Sequence, residues 1–378
     1  MDPNQLIGPP APLGYPAPYW VLAFFKVLGF TLHLIPMTLW LAGTLLAMLG
    51  RWRGGEHART WSGRVMVQMP IILALGINFG IVPLLFTQVA YARVFYPATI
   101  LMAWPWLGVI AALMVAYYGV YLYAVGLRTG RLGPWRQAAG WVAALLFVAI
   151  SFVFSNALSL MTRVEAWPAL WQRTSVAGAP LGVALNTGDP TWLPRWLMVL
   201  GLALTTTAAY AVVDAGLFAV RETSAYRRWA AGFGWRLYTL GLAWVGVAGS
   251  WYVFWTWPAA IRQMMLARPL VVLTAATALS PGLPWLLLWV GRGGITPALA
   301  LLVAASQIGV LAANALSRQI VQNAELRRFL DVTAERVDPQ WGPLVLFLVL
   351  FVAGLAVVAW MVGQAIAATR RSVVPTAR

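Results

Sequence analysis

A single histidine lies deep in an apolar part of this sequence. His33 is one of only two histidines in 378 residues, and the apolar stretch 20–49 around it contains one other ionisable residue, Lys26. An ionisable side chain is expensive to hold in an apolar medium, so its presence points to function. A neutral imidazole can ligate a haem iron or hydrogen-bond a carbonyl or hydroxyl of a neighbouring helix, and the sequence leaves both open. Met37 follows one turn later, so we expect it to pack against whatever His33 touches.

A second stretch, residues 76–93, combines features of a helix that meets another element closely. Gly76 and Gly80 form a face of small residues that permits close helix approach, and Pro83 frees a backbone carbonyl. We expect the amides of Asn78 and Gln88 to be buried at this contact. A cofactor and tight packing without a cofactor remain alternative explanations.

Ionisable residues near the ends of apolar stretches can be explained without a bound ligand. Arg318 could clamp a haem propionate or a quinone oxygen, or it could snorkel to the membrane surface as arginines at helix ends commonly do. Asp214 is expected to pair with a neighbouring arginine, and Lys26 is expected to snorkel.

The elements that must position these residues are membrane helices. Hydrophobic residues make up 61% of the chain and charged residues only 10%, so the lipid bilayer is the relevant solvent. We predict an all-α, polytopic bundle whose nine spans cover residues 19–50, 65–90, 98–127, 137–161, 192–219, 229–255, 269–290, 296–321 and 341–369.

The distribution of arginine predicts the orientation of the bundle. The connections after odd-numbered spans, with the C-terminal tail, hold fourteen arginines and two acidic residues, whereas the opposite side holds ten arginines and seven acidic residues. The positive-inside rule then places the N-terminus outside and the C-terminus in the cytoplasm. The formal net charge of +16 therefore indicates basic residues that set the membrane orientation and contact lipid, and it does not indicate nucleic-acid binding.

The chain contains no cysteine. Disulfides, iron–sulfur ligation and covalent c-type haem attachment are thereby excluded, and any redox cofactor must be held non-covalently. We divide the chain into a proline-rich arm (1–18), one helix-bundle domain (19–369) and a basic cytoplasmic tail (370–378). Two longer loops, 162–191 and 322–340, are predicted on the outer side.

Together these motifs resemble the haem-bearing core subunit of cytochrome bd quinol oxidases. The resemblance rests on the first-span histidine followed by a proline, on Gly-Ile-Asn-Phe and Gly-Ile-Val in the second span, and on the Arg-Gln pair closing the eighth. It implies that His33 ligates haem. The family's Gly-Arg-Gln-Pro-Trp element matches at Arg318 and Gln319, whereas Ile320 and Val321 replace its Pro-Trp.

Three other haem-ligand positions of that family depart from its pattern. The glutamate that precedes the arginine by three residues is Ala315 here, the span-five histidine corresponds to Leu197 beside Met198, and the span-six methionine falls near Tyr238. The acidic residue after Gly-Ile-Val is replaced by Leu84. One of four ligands is therefore retained.

The resemblance implies a haem-poor membrane subunit of a bd-like respiratory complex in a bacterial cytoplasmic (inner) membrane. The connection 257–268 is too short for the quinol-binding loop of the oxidases. We expect at most one haem b, a quinone as a second candidate ligand, and pairing with a homologous haem-bearing subunit and a periplasmic c-type cytochrome. Little or no oxidoreductase catalysis is expected in this chain alone. Candidate cofactor contacts are His33, which is also the candidate metal ligand, and Met37, Asn78, Gln88, Met198, Arg318 and Gln319.

Two other classes of function stay open at this point. A transporter or channel subunit would show paired helix breaks in two halves and several intramembrane ionisable groups, and this chain has few of either. A cofactor-free structural anchor of a redox complex would be distinguished from a haem-binding subunit by the absorption spectrum of the purified protein.

Overall fold

The computed structural model describes residues 2–371, without the side chains of 362 and 365–371. Within this part, nine helices are long and apolar enough to cross a membrane, which confirms the predicted all-α bundle of nine spans. In chain order, these spans 1 to 9 are Tyr19–Arg53, Glu56–Ala90, Ala103–Arg128, Pro134–Thr162, Trp192–Phe218, Ser224–Thr256, Leu270–Gly291, Pro297–Leu326 and Trp341–Met361.

Several spans are locally irregular. Span 1 consists of Tyr19–Thr38 and Thr44–Arg53 joined by a π-helical stretch, Leu39–Gly43. Spans 5 and 6 each end in a π-helical stretch, and span 7 is divided at 280–281. Their component helices are Trp192–Val213 with Asp214–Phe218, Ser224–Ser250 with Trp251–Thr256, and Leu270–Leu279 with Gly282–Gly291.

Short elements occupy the connections on the predicted outer side. They are the 3-10 helices Pro3–Leu6 and Val164–Ala166, the helices Ala92–Leu101, Trp167–Thr174 and Ala259–Leu266, and an antiparallel pair of strands, Ser175–Val176 and Ala179–Pro180.

Sequence and structure differ mainly at the helix ends. Span 2 begins at Glu56 and span 6 at Ser224, earlier than predicted, because amphipathic turns extend beyond the apolar stretch. The predicted loop 322–340 is shorter than expected, since 322–326 still belongs to span 8.

The N-terminal arm is tied to the outer end of the bundle. Tyr15 pairs with Val337 in an isolated β-bridge, and its hydroxyl donates to the Ala90 carbonyl at 2.7 Å. Burial raises the pKa of Tyr15, and Glu335 adds to the effect. At the other end of the chain, the predicted basic tail 370–378 lies outside the residues whose side chains are described.

Spans 1 and 5 lie at the centre of the bundle. In span 1, 61% of the most apolar window is buried, and in span 5, 56%, whereas none of that window is buried in span 9. Spans 1 and 2, 3 and 4, and 5 and 6 pack most extensively, as the short connections between them predict. Residues on the two central helices are therefore the best placed to reach several neighbours.

The close contact between spans 1 and 2 depends on two glycines. A Cβ atom at Gly76 would overlap the indole of Trp40, and one at Gly80 would come within 2.9 Å of the His33 ring. Trp40 in turn stacks on Phe147 of span 4 at 5.8 Å. The predicted small-residue face is thus confirmed, and it accommodates two aromatic rings.

Replacing Gly76 by alanine should lower the free energy of unfolding by about 1–3 kcal/mol, because the added methyl group overpacks the contact with Trp40. Thermal unfolding of the detergent-solubilised chain would measure the change. The matched control is Gly63→Ala in the same helix, where nothing lies within 4 Å of the new Cβ atom; there the better helix propensity of alanine should stabilise by up to about 1 kcal/mol. Equal effects of the two substitutions would contradict the packing argument.

Candidate functional site

His33 is anchored by a hydrogen bond to the second span. Its Nδ1 lies 2.8 Å from the Gly76 carbonyl oxygen. A carbonyl only accepts, so Nδ1 carries the proton and Nε2 keeps its lone pair. This is the arrangement expected of a histidine bonded to a neighbouring helix, and it also leaves the nitrogen that a metal would need.

His33 offers a haem a suitable donor nitrogen, but its ring is closely packed against span 2 and Trp40. Its ring rests on Gly80 and meets the Trp40 indole edge-on at 5.8 Å between centroids. Ligand pockets usually enclose about 300 Å³ or more. The two best-defined cavities in the described part of the chain hold about 150 and 220 Å³, and His33 lines neither. We therefore derive no electron-transfer step through a haem in this chain.

The other positions where the oxidases carry haem ligands are filled by packed side chains. Ala315 is buried in an apolar cluster with Leu34 and Leu202. The hydroxyl of buried Tyr238 donates to Gln307 at 2.7 Å. Met198 packs among residues at the outer ends of spans 6 and 8, in a cluster separate from the packing around His33. The structure therefore does not bring Met198 together with His33.

The second-span amides do not lie as predicted. Asn78 is exposed on the outer surface of the bundle and donates to the Ala74 carbonyl of its own helix at 2.8 Å. Gln88 is half-buried, and its amide makes no hydrogen bond with the described residues. Met37 is partly buried against two apolar clusters, as packing near His33 would require. The expectation of buried amides was wrong because the face that meets span 1 is the glycine face.

The strongest concentration of buried charge lies at the outer end of the bundle, where spans 4 and 8 end and span 5 begins. We call Arg163, Arg195, Arg318, Asp189 and Glu325 the outer arginine cluster. The carboxylate of Glu325, with 1% of its side chain exposed, lies 3.5 Å from both Arg163 and Arg195. Burying such charges costs several kcal/mol per ion unless they are paired.

Asp189 is the most fully satisfied carboxylate of the cluster. It lies in the connection before span 5 and accepts from the Ser159 hydroxyl at 2.7 Å, from the Thr191 backbone and hydroxyl at 3.0 and 2.7 Å, and from Arg195 at 2.9 Å. Burial by itself would raise the pKa of Asp189, but Arg195 and these hydrogen bonds outweigh it and hold the pKa below its ordinary value.

Arg318 has no carboxylate partner among the described residues. Its guanidinium lies 4.9 Å from the centre of the Phe30 ring, a cation–π contact, and it lines a cavity with Arg195 and Glu325. It is half-buried and faces other polar side chains, so snorkelling does not describe it.

A network of tyrosines and amides adjoins the cluster. The hydroxyls of Tyr19 and Tyr91 lie 2.9 Å apart, and the amide nitrogen of Gln319 lies 2.6 Å from the Tyr91 hydroxyl and 3.0 Å from Asn323. The amide nitrogen of Gln319 is therefore fully engaged within the protein. Lys26, which we expected to snorkel, is instead buried and donates to the Gln322 side chain at 2.9 Å.

A second charged cluster lies at the opposite, predicted inner end. Arg64 binds the buried carboxylate of Asp214 in a bidentate fork at 2.6 and 2.8 Å and also reaches Glu222 at 3.2 Å. Gln68 donates to Asp214 and accepts from Tyr210. The predicted pairing of Asp214 with an arginine is confirmed, and the fully paired geometry indicates a structural role.

Sequence reasoning missed Arg195 and Glu325, which it counted only as loop charges. A helical-face argument would have found Glu325, because Arg318, Gln322 and Glu325 follow one another at one-turn spacing on one face of span 8. Asp189, Thr191 and Arg195 also lie close together in the sequence at the start of span 5, whereas the contact between Arg195 and Glu325 joins two helices that are distant in sequence.

Replacing Asp189 by asparagine should lower the free energy of unfolding at pH 7 by about 1.5–3 kcal/mol, because hydrogen bonds to a charged acceptor are lost. The pKa of Asp189 is depressed in the folded state, so its contribution is fully present above the ordinary value of 3.8 and is lost as the pH falls through the depressed value. Denaturant unfolding at pH 7 and near pH 3 should therefore show the difference between wild type and variant shrinking in acid.

The exposed Asp338 supplies the matched control. Asp338→Asn should change stability little at either pH, since exposed ion pairs contribute little. A pH-independent difference between wild type and Asp189→Asn would contradict the charge assignment.

Comparison with known proteins identifies the architecture. No protein-family model matches the sequence, and neither does any curated protein. Among solved structures, the chain is similar to the bd oxidase from Geobacillus thermodenitrificans, with a TM-score of 0.64 and 13% identity over 96% of this chain and 100% of that chain. At this identity the likeness shows a shared fold, and the protein is a multi-pass membrane protein with the fold of a bd oxidase chain.

Proposed function

We propose that this chain is a membrane subunit of a bd-like electron-transfer complex and that it pairs with a homologous, haem-bearing subunit. The observation that carries the proposal is the fold match to a bd oxidase chain over 96% of this chain and 100% of that chain. The motifs at His33, at Gly76 and Gly80, and at Arg318 and Gln319 give independent sequence support for the same family.

The assignment of a supporting rather than a catalytic role follows from the ligand positions. Ala315 is buried in apolar packing, Leu197 cannot ligate a metal through its side chain, and the Tyr238 hydroxyl is engaged by Gln307. Three positions that would hold haem therefore stabilise the bundle here. Electron transfer from quinol or cytochrome c to an acceptor such as oxygen would then occur mainly in the partner subunit.

We propose that other components of the complex contact the outer side of this chain. The arm, the connection 163–191 and the connection 327–340 converge there, and both buried tyrosines of the amide network lie at that end. We propose that a periplasmic c-type cytochrome would dock on these loops. The positive-inside distribution of arginine supports this orientation in a bacterial inner membrane.

Expression alone and together with a homologous nine-span chain tests the pairing. We expect the isolated chain to show no quinol:oxygen oxidoreductase activity, because it lacks most haem ligands, and we expect the two chains to purify together in a fixed ratio. An unrelated membrane protein carrying the same affinity tag is the control for non-specific capture. Turnover by the isolated chain, with quinol and oxygen as the only substrates, would overturn the proposal.

We also propose that this chain holds at most one b-type haem, for which Nε2 of His33 is the candidate ligand; the close packing of its ring against span 2 and Trp40 would have to open to admit the haem. When bound, the haem would supply one-electron redox chemistry. Replacing His33 by alanine should then remove one haem from the Soret absorbance and from the pyridine haemochrome count of the purified complex. His57→Ala is the matched control, because His57 lies outside the apolar stretch and packs beside Tyr226 and Trp229. An unchanged haem content in the His33 variant would show that His33 only anchors the helix contact.

A further inference from the structure

The outer end of the bundle contains more positive than negative charge on buried and half-buried side chains. The cations are Lys26, Arg163, Arg195 and Arg318, and the buried carboxylates are Asp189 and Glu325. Both carboxylates are shared between Arg163 and Arg195. The half-exposed Glu165 also pairs with Arg163, so no carboxylate among the described residues contacts Lys26 or Arg318.

The cavity beside Arg318 contains one buried amide donor and two buried carboxylate oxygens of Glu325 that have no hydrogen-bond partner among the described residues. It is lined by Arg195, Arg318, Gln322, Glu325 and Tyr252, together with Leu158, Thr162 and Val321. Gln322 is 5% exposed, and its carbonyl oxygen accepts from Lys26, but its buried Nε2 has no acceptor. A buried amide donor without a partner is unfavourable, so an acceptor is expected here.

The size of the cavity limits the acceptor. Its volume is about 220 Å³ including the part open to the surroundings, and its interior has room for about one water-sized group. Glu325 lies on the same wall and would repel an anion close to its oxygens. A ligand would therefore approach the side formed by Arg318 and Gln322, where both groups donate.

We propose that this cavity binds one water-sized anionic group, held by the guanidinium of Arg318 and the amide nitrogen of Gln322. The group is either a small monovalent ion or one oxygen atom of a carboxylate that belongs to a larger ligand. It offsets the excess positive charge and supplies the missing acceptor for Gln322. The site does not depend on the proposed pairing or on a haem at His33, so it can be tested on the chain alone.

Chloride NMR line broadening measures binding of the free anion to the detergent-solubilised chain. We expect a saturable broadening that acetate displaces. Arg318→Gln and Gln322→Glu should each weaken it about tenfold or more, since one charge-assisted hydrogen bond is lost. Gln322→Glu is nearly isosteric and keeps an acceptor for Lys26, so it separates loss of the anion from loss of the fold. Arg336→Gln, at an exposed arginine near the same end, should leave the broadening unchanged.

A carboxylate that belongs to a larger ligand would be detected by a different measurement. If a larger carboxylate ligand fills the site, wild type should show no displaceable broadening, and denaturation should release a carboxylate compound that mass spectrometry detects in wild type and not in Arg318→Gln. Either result supports the anion site. Broadening that persists in both cavity variants, or neither broadening nor a released carboxylate in wild type, would overturn it and leave an ordered water as the acceptor for Gln322.

Discussion

Within a bilayer, every buried polar group must find its partner inside the protein, and this constraint organises the whole molecule. The buried carboxylates of the described residues, Asp189, Asp214 and Glu325, lie in two clusters at opposite ends of the bundle. At the inner end, Arg64 and Asp214 form a bidentate pair, whereas at the outer end Asp189 and Glu325 are each shared between two arginines. Between them, neutral hydrogen bonds such as that from Tyr238 to Gln307 suffice.

The same constraint gives His33 its structural role. A histidine in apolar surroundings needs an acceptor, and the glycine face of span 2 brings the Gly76 carbonyl within reach. Gly80 leaves the space for the ring, and Trp40 occupies the neighbouring volume. The hydrogen bond from His33 to the Gly76 carbonyl therefore fixes the tautomer and orientation of the imidazole and also joins the two helices.

The fold of this chain does not by itself require residues that ligate haem. The chain has the fold of a bd oxidase chain, and the positions that the sequence resemblance assigns to haem ligands hold Ala315, Leu197 and Tyr238. Replacing a ligand by an apolar or hydrogen-bonded side chain preserves packing, because a dense interior is stable without a cofactor. At these positions the interior is filled by protein side chains. At the outer end, Arg318 faces a small cavity and has no carboxylate partner among the described residues.

The sequence by itself determined the number and approximate limits of the spans, the close contact at Gly76 and Gly80, and the pairing of Asp214 with an arginine. A membrane span depends on the length and hydropathy of one continuous stretch of sequence, and a face of small residues indicates where two helices can approach closely. Only the tertiary structure decided that Asn78 faces outward and that Lys26 reaches Gln322, a partner 296 residues away. The rotation of each helix about its axis decides which polar side chains meet, and that rotation is set by packing against all neighbours at once.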